Sequence, residues 1–307
     1  FMTLIALLIG LIIERLATQI FHWRRMRWLE RIIDRGFSLA ARFAGLPALI
    51  SVIVLTAILV LPVAAATIAL GDTLFGFPHL VLAVVVLFFS LGPNDIGEDV
   101  NEYCSALEEG DEERIEQTAK TLVENNLPDS PLERIRCVEE AVCIQANNRL
   151  FAVIFWFVLL GPLGPLGAWA YRVTDLVRRR AVFQAGRGEG DVAQITPLRD
   201  AAVALHGWLA WIPARLTAIG YAVAGHFDAA LAAWRSGTEA ATGTTSENSE
   251  RLLARVGTAA LALEAGADED LTARGVRGAT AAKRLVFRLL LIWAVIISAM
   301  TLYGWTV

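Results

Sequence analysis

Three charged side chains stand inside otherwise apolar stretches, and chemistry is expected there first. Glu14 and Arg15 follow the uncharged run Met2–Ile13, and Arg215 lies between Trp211-Ile212-Pro213 and Thr217-Ala218-Ile219. An ionised side chain at membrane depth costs roughly 2.5–3.5 kcal/mol on insertion scales, so each is a candidate for function. The chemistry expected of them is an anion or amide site, since a guanidinium fork suits a carboxylate or phosphate. His22, His79, His206 and His226 form no HExxH and no i, i+4 pair. Cys104, Cys137 and Cys143 form no CxxC, which predicts free thiols and neither a metal site nor a disulfide framework. There is no GxxxxGK[ST], no GxGxxG after a strand and no GxSxG, so no cofactor, nucleotide loop or hydrolase elbow is expected.

The elements that must position these residues are set by composition. In 307 residues, 56% are hydrophobic and 19% charged, and the mean hydropathy is +0.53, which points to a bilayer as solvent and excludes a cytosolic enzyme. A net charge of -4 excludes nucleic acid as a partner. Met2 to about Ile20, Pro47–Leu70, Phe75–Leu91 and Leu289–Val307 predict about four crossings; the first runs into Glu14-Arg15 without a cleavage site and reads as retained. The loop 21–42 carries Arg24, Arg25, Arg27, Arg31, Arg35 and Arg42 against Glu30 and Asp34, which assigns it to the cytoplasm. Within it Met26, Leu29, Ile33 and Phe37 recur at helical spacing, as in a helix lying on anionic lipid.

From Asn94 to Glu140 fifteen of the 31 acidic residues are concentrated in a stretch that reads as three soluble helices. Asp95 and Asp111 suit N-caps, and Ser130-Pro131-Leu132-Glu133 suits a capping box with proline at N1. The apolar stretch Leu150–Tyr171 is interrupted by Gly161-Pro162-Leu163-Gly164-Pro165-Leu166-Gly167, and Arg172, Arg178, Arg179, Arg180 and Arg187 follow it. Basic residues after it and acidic insert before it share one side only if this stretch is a re-entrant hairpin lining a cavity. Ala201–Phe227, interrupted by Pro213 and Arg215, fits an embedded or re-entrant broken-helix pair as well as a full span, with Trp208 and Trp211 suited to the interface. Ser236–Ser249 reads as a loop, and Glu250–Glu264 as an amphipathic helix.

Several of these segments resemble one family. Phe151-Ala-Val-Ile-Phe-Trp-Phe-Val-Leu-Leu-Gly-Pro162, Gly167-Ala-Trp-Ala-Tyr-Arg172 and Trp211-Ile-Pro-Ala-Arg-Leu-Thr-Ala218 are similar to the AmpE family of bacterial inner-membrane proteins. Leu91-Gly-Pro-Asn-Asp-Ile96, Ala106-Leu-Glu-Glu-Gly-Asp111, Ile13-Glu-Arg15 and Gly225-His226 leading to Trp234 extend the likeness along nearly the whole chain. It implies a membrane sensor or transducer in β-lactamase control and peptidoglycan recycling, with no established reaction. The same motifs are distantly similar to the CobD/CbiB cobinamide-phosphate synthases, which are membrane ligases using ATP. Where those have carboxylates around the shared motifs, this chain has Ile144-Gln145, Asn148 and His206-Gly207, although Glu140 and Asp175 still fit. Magnesium-nucleotide chemistry needs such carboxylates.

The expectation is therefore an all-α polytopic inner-membrane protein. It would comprise three helices with a basic loop (1–93), an acidic cytoplasmic helical insert (94–149), an embedded broken-helix core (150–228), a cytoplasmic loop and helix (229–283) and a last span (284–307). The resemblance selects Glu14, Arg15, Glu140, Tyr171, Asp175 and Arg215 to converge on one cytoplasm-facing cavity, with Arg215 as the anion-binding centre. The expected partners are membrane lipid, a muropeptide or other cell-wall-derived ligand, and a partner protein or second copy. The rival expectation is a CobD/CbiB-like ligase acting on an amphiphilic phosphate compound.

Overall fold

The computed structural model describes residues 27–42, 47–70, 77–91, 96–123, 127–187, 192–237, 243–263 and 270–303, and every regular element among them is helical. Helix α1 is Arg27–Arg42, α2 Ala48–Leu70, α3 Phe77–Ser90, α4 Ile96–Glu109, α5 Glu112–Leu122 and α6 Pro131–Ala146. A π-helical turn, Asn147–Phe151, leads into α7, Ala152–Leu159. Then come a 3₁₀ turn, Gly161–Leu163, α8 Gly164–Arg187, α9 Val192–Ala224, α10 Phe227–Ser236, α11 Thr245–Leu261 and α12 Leu271–Leu302. The predicted span Met2–Ile20, with Glu14 and Arg15, lies outside the described residues.

The 23 residues of α2 are long enough to cross the hydrocarbon, at about 35 Å of helix against a core of roughly 30 Å. The same holds for the apolar end of α12. Only 22% and 28% of their most apolar windows are buried, so both turn large side chains such as Ile58, Leu61, Leu291 and Val295 outward. The run Pro131–Leu159 also has the length and composition of a span, but 67% of its window is buried inside the protein. Of the expected crossing Phe75–Leu91 the described part is α3, 14 apolar residues and about 21 Å of helix.

Leu29, Ile33 and Phe37 of α1 are buried at helical spacing, but against α2 and α8 rather than lipid. Arg180 of α8 grips Asp34 of α1 with two bonds, at 2.6 and 2.8 Å. The three helices of the insert form as expected, and Asp111 caps α5 by accepting from the Arg114 amide at 3.1 Å. Pro131 does open α6, but Ser130 makes no side-chain capping bond, so the predicted box is not formed there. A capping box does close the start of α11, between Thr244 and Glu247, five residues earlier than the pattern suggested.

The glycine-proline break turns the chain back on itself. Gly161 has φ +54°, a conformation that disfavours any residue with a Cβ. The returning α8 then packs so tightly on α7 that a Cβ on Gly167 would lie 2.6 Å from the Trp156 carbonyl oxygen. Helix α9, by contrast, corrects the second broken-helix expectation, since it runs unbroken through Pro197 and Pro213 for 33 residues. Proline frees the carbonyl four residues earlier, and the Trp156 indole N–H takes it up, donating to the Leu209 carbonyl at 3.1 Å. Trp169 of α8 donates its indole N–H to the Leu59 carbonyl of α2, in the turn before Pro62, at 3.1 Å.

Candidate functional site

The interior of the bundle is not purely apolar where α4, α6, the π turn, α8 and α9 meet. The π turn places Asn147, Asn148 and Arg149 side by side at the inner surface, with no more than 6% of each exposed. Such a turn inserts one residue into the helical register and redirects the side chains that follow it. From α8, Arg172, Asp175 and Arg178 are also buried, and Arg179 is partly so.

Asp175 is the hub. Its Oδ2 accepts from Arg172 Nη1 at 3.1 Å and Arg179 Nε at 2.8 Å, and its Oδ1 accepts from Arg178 Nη2 at 2.9 Å, with His206 Nε2 at 3.7 Å. Tyr171, one turn earlier, has its hydroxyl 3.2 Å from His206 Nε2 and donates to Asn148 Oδ1 at 3.4 Å. Gln145 Oε1 bridges outward, accepting from Arg179 Nη2 at 2.9 Å and Arg149 Nε at 3.0 Å. Arg149 Nη1 then binds Asp99 of α4 at 2.8 Å. Thr217 of α9 donates to Asn147 Oδ1 at 3.0 Å, and Asn147 Nδ2 donates to Asn148 Oδ1 at 3.0 Å. One continuous polar network thus ties four elements to α8.

Arg149, Arg172, Arg178 and Arg179 face Asp99 and Asp175, and Glu250 stands beside Arg178. Both oxygens of Asp175 are already committed to guanidiniums, and among the described residues no group of three or more His, Cys, Asp or Glu is placed to hold a metal.

Beside the network lies a cavity of about 710 Å³ between α5, α6, α8, α9 and the start of α11. Gln145 and Arg178 belong both to its lining and to the network, while Glu140, Glu247 and Glu250 line it too. Glu250 Oε1 stands 3.9 Å from Arg178 Nη1. Leu122, Ile144 and Val203 supply apolar wall.

Of the residues singled out from the sequence, Tyr171 and Asp175 are thus joined through His206, and Glu140 lies on the cavity beside them. Arg215 is not in this network: it sits on the outward side of α9, where its Nη1 donates to the Trp211 carbonyl at 3.0 Å and its guanidinium lies 3.9 Å from the Trp211 ring centre. Sequence reading missed Arg149, Arg178 and Arg179 as site residues, and treated Gln145, Asn148 and His206 only as losses. The signal was there in the arginine-rich run after the hairpin, which was read as a topology marker alone.

An all-helical bundle with long apolar helices turned outward defines a helical membrane protein. Residues 2–307 match the family described as regulatory signalling modulator protein AmpE, and the chain belongs to that family. Protein AmpE of Shigella flexneri is 26% identical over 99% of both chains. The cobalamin biosynthesis protein CobD of Stutzerimonas stutzeri is 26% identical, and that of Chromobacterium violaceum 24%, over 50% and 52% of this chain. The chain spans about half the length of these CobD relatives, 48% of each. No solved structure matches.

Proposed function

We propose that this protein is a regulatory component of the bacterial inner membrane that binds a cell-wall-derived fragment in the 710 Å³ cavity and so adjusts β-lactamase induction during peptidoglycan recycling. Family membership supports the regulatory role. The observation that carries the ligand reading is the double position of Gln145 and Arg178, which line the cavity and anchor the buried network. Its volume suits a small ligand of roughly 300–1,000 Å³. Arg178 suits a carboxylate at the floor, and Glu140 and Glu247 suit an ammonium group at the wall, a combination that peptide-bearing cell-wall fragments carry.

Occupancy has a physical route out of the cavity. Glu139, next to Glu140 on α6, forms a two-pronged pair with Arg274 of α12. The 32 residues of α12 extend about 48 Å, from the insert into its membrane-crossing end. A shift of α6 on ligand binding is therefore carried along one continuous helix.

Calorimetric titration of detergent-purified, monodisperse protein tests this reading against the ligase alternative. The expected result is saturable binding of a peptide-bearing muropeptide, weakened at least about tenfold by Glu140→Gln, the loss of one charged contact, and no heat from magnesium-ATP. Saturable micromolar binding of magnesium-ATP that disappears in Asp175→Asn would move the protein into the ligase class.

A further inference from the structure

Over residues 206–223 the large side chains of helix α9 divide by burial, with only the small Ala222 buried within the exposed arc. His206, Ala210, Ala214, Thr217 and Tyr221 are buried against the bundle, whereas Trp208, Trp211, Ile212, Leu216, Ile219 and Val223 are all exposed. At the helical repeat the exposed set occupies an arc of about 140° and runs for roughly 22 Å. Arg215 lies within that arc and is the charged residue on it. The helix does not have the composition of a membrane span, yet it packs on both α2 and α12, whose outward faces are apolar.

We propose that the outward face of α9 lies on the acyl region of the bilayer and that Arg215 binds the phosphate of an anionic phospholipid there. The two tryptophans have the amphipathic rings that settle at the boundary between acyl chains and headgroups. The bond to the Trp211 carbonyl and the ring beneath the guanidinium fix the fork while using one of its five donors. A phosphate satisfies the others and neutralises the charge. A second copy of the chain fits the same face poorly: the midpoint of the stripe falls at Arg215–Leu216, so two-fold packing about it would press two Arg215 side chains together in an apolar seam. Helix α1 repeats the pattern, with Trp28, Ile32 and Leu39 exposed beside Arg31 and Arg35.

The test uses full-length protein in lipid nanodiscs, with Cys104, Cys137 and Cys143 replaced by alanine and a spin label on Ile212→Cys or Ile219→Cys. Oxygen should relax the label more strongly than a water-soluble nickel chelate does. Stronger relaxation by the chelate, or dipolar broadening between labels on two copies, overturns the lipid assignment. For the headgroup, native mass spectrometry from nanodiscs of phosphatidylglycerol and phosphatidylcholine should show phosphatidylglycerol retained. Arg215→Gln should lower that retention about fivefold, the value of one cation at an anionic surface, and Arg215→Lys should fall between. Unchanged retention in Arg215→Gln, or displacement of the lipid by millimolar inorganic phosphate, refutes a lipid-phosphate site.

Discussion

Asp175→Asn removes one negative charge from a position with no solvent exposure and three guanidinium partners at 2.8–3.1 Å. Asparagine is nearly the same size, so no cavity opens. What changes is electrostatic: Arg172 and Arg178, with side chains 4% and 6% exposed, lose their nearer carboxylate, leaving Arg178 only the more distant Glu250 at 3.9 Å among the pairs described, and the new amide turns donors toward donors. Breaking a buried pair by removing one partner costs about 3–5 kcal/mol, and that is the loss expected in reversible unfolding by SDS in mixed micelles. Removing a cation as well, in Asp175→Asn with Arg179→Met, should recover part of it, with a coupling of about 0.5–3 kcal/mol. The control is Arg199→Ala, whose partner Asp200 is 62% exposed and whose loss should cost about 0–1 kcal/mol. If Asp175→Asn unfolds within about 0.5 kcal/mol of the parent, the network is not the structural hub described above.

Trp156→Phe keeps the ring but leaves the Leu209 carbonyl without its indole donor beside Pro213, and should cost about 1–3 kcal/mol in the same assay. Gly167→Leu should cost about 1–3 kcal/mol or more, because the atom it meets is backbone. Gly186→Ala, with nothing within 4 Å of the added carbon, should instead gain about 0.4–1 kcal/mol. If α7 and α8 form a re-entrant hairpin, a cysteine at Val182, in a background lacking the native cysteines, is labelled from the cytoplasm. Labelling by an impermeant periplasmic reagent would make 150–171 a full crossing.

The membrane class and most helices were legible because they rest on local pattern: the charge-free run of α2, the Asp111 cap and acidic faces of the insert, and the glycine-proline break of the hairpin. The continuity of α9 was not legible. Pro213 breaks a helix on its own, and the donor that rescues it, Trp156, is 57 residues away in sequence (213 − 156). Asp175 and Tyr171 were reached through resemblance, whereas Arg149, Arg178 and Gln145 were not, because a π turn and contacts as distant as Asp99–Arg149 bring them inward. Arg215 was misplaced for a related reason. A lone arginine in an apolar stretch marks an unusual position, but only the packing of α9 decides whether it faces the bundle or the lipid.

The regulatory account meets its most direct test in the bacterium that encodes the protein. Deleting the gene should alter β-lactamase induction, and the parent chain should restore it. Glu140→Gln at equal membrane abundance should shift the inducer dose response several-fold, since Glu140 lines the cavity and makes no part of the buried hub. Induction that is the same with and without the gene would contradict the account.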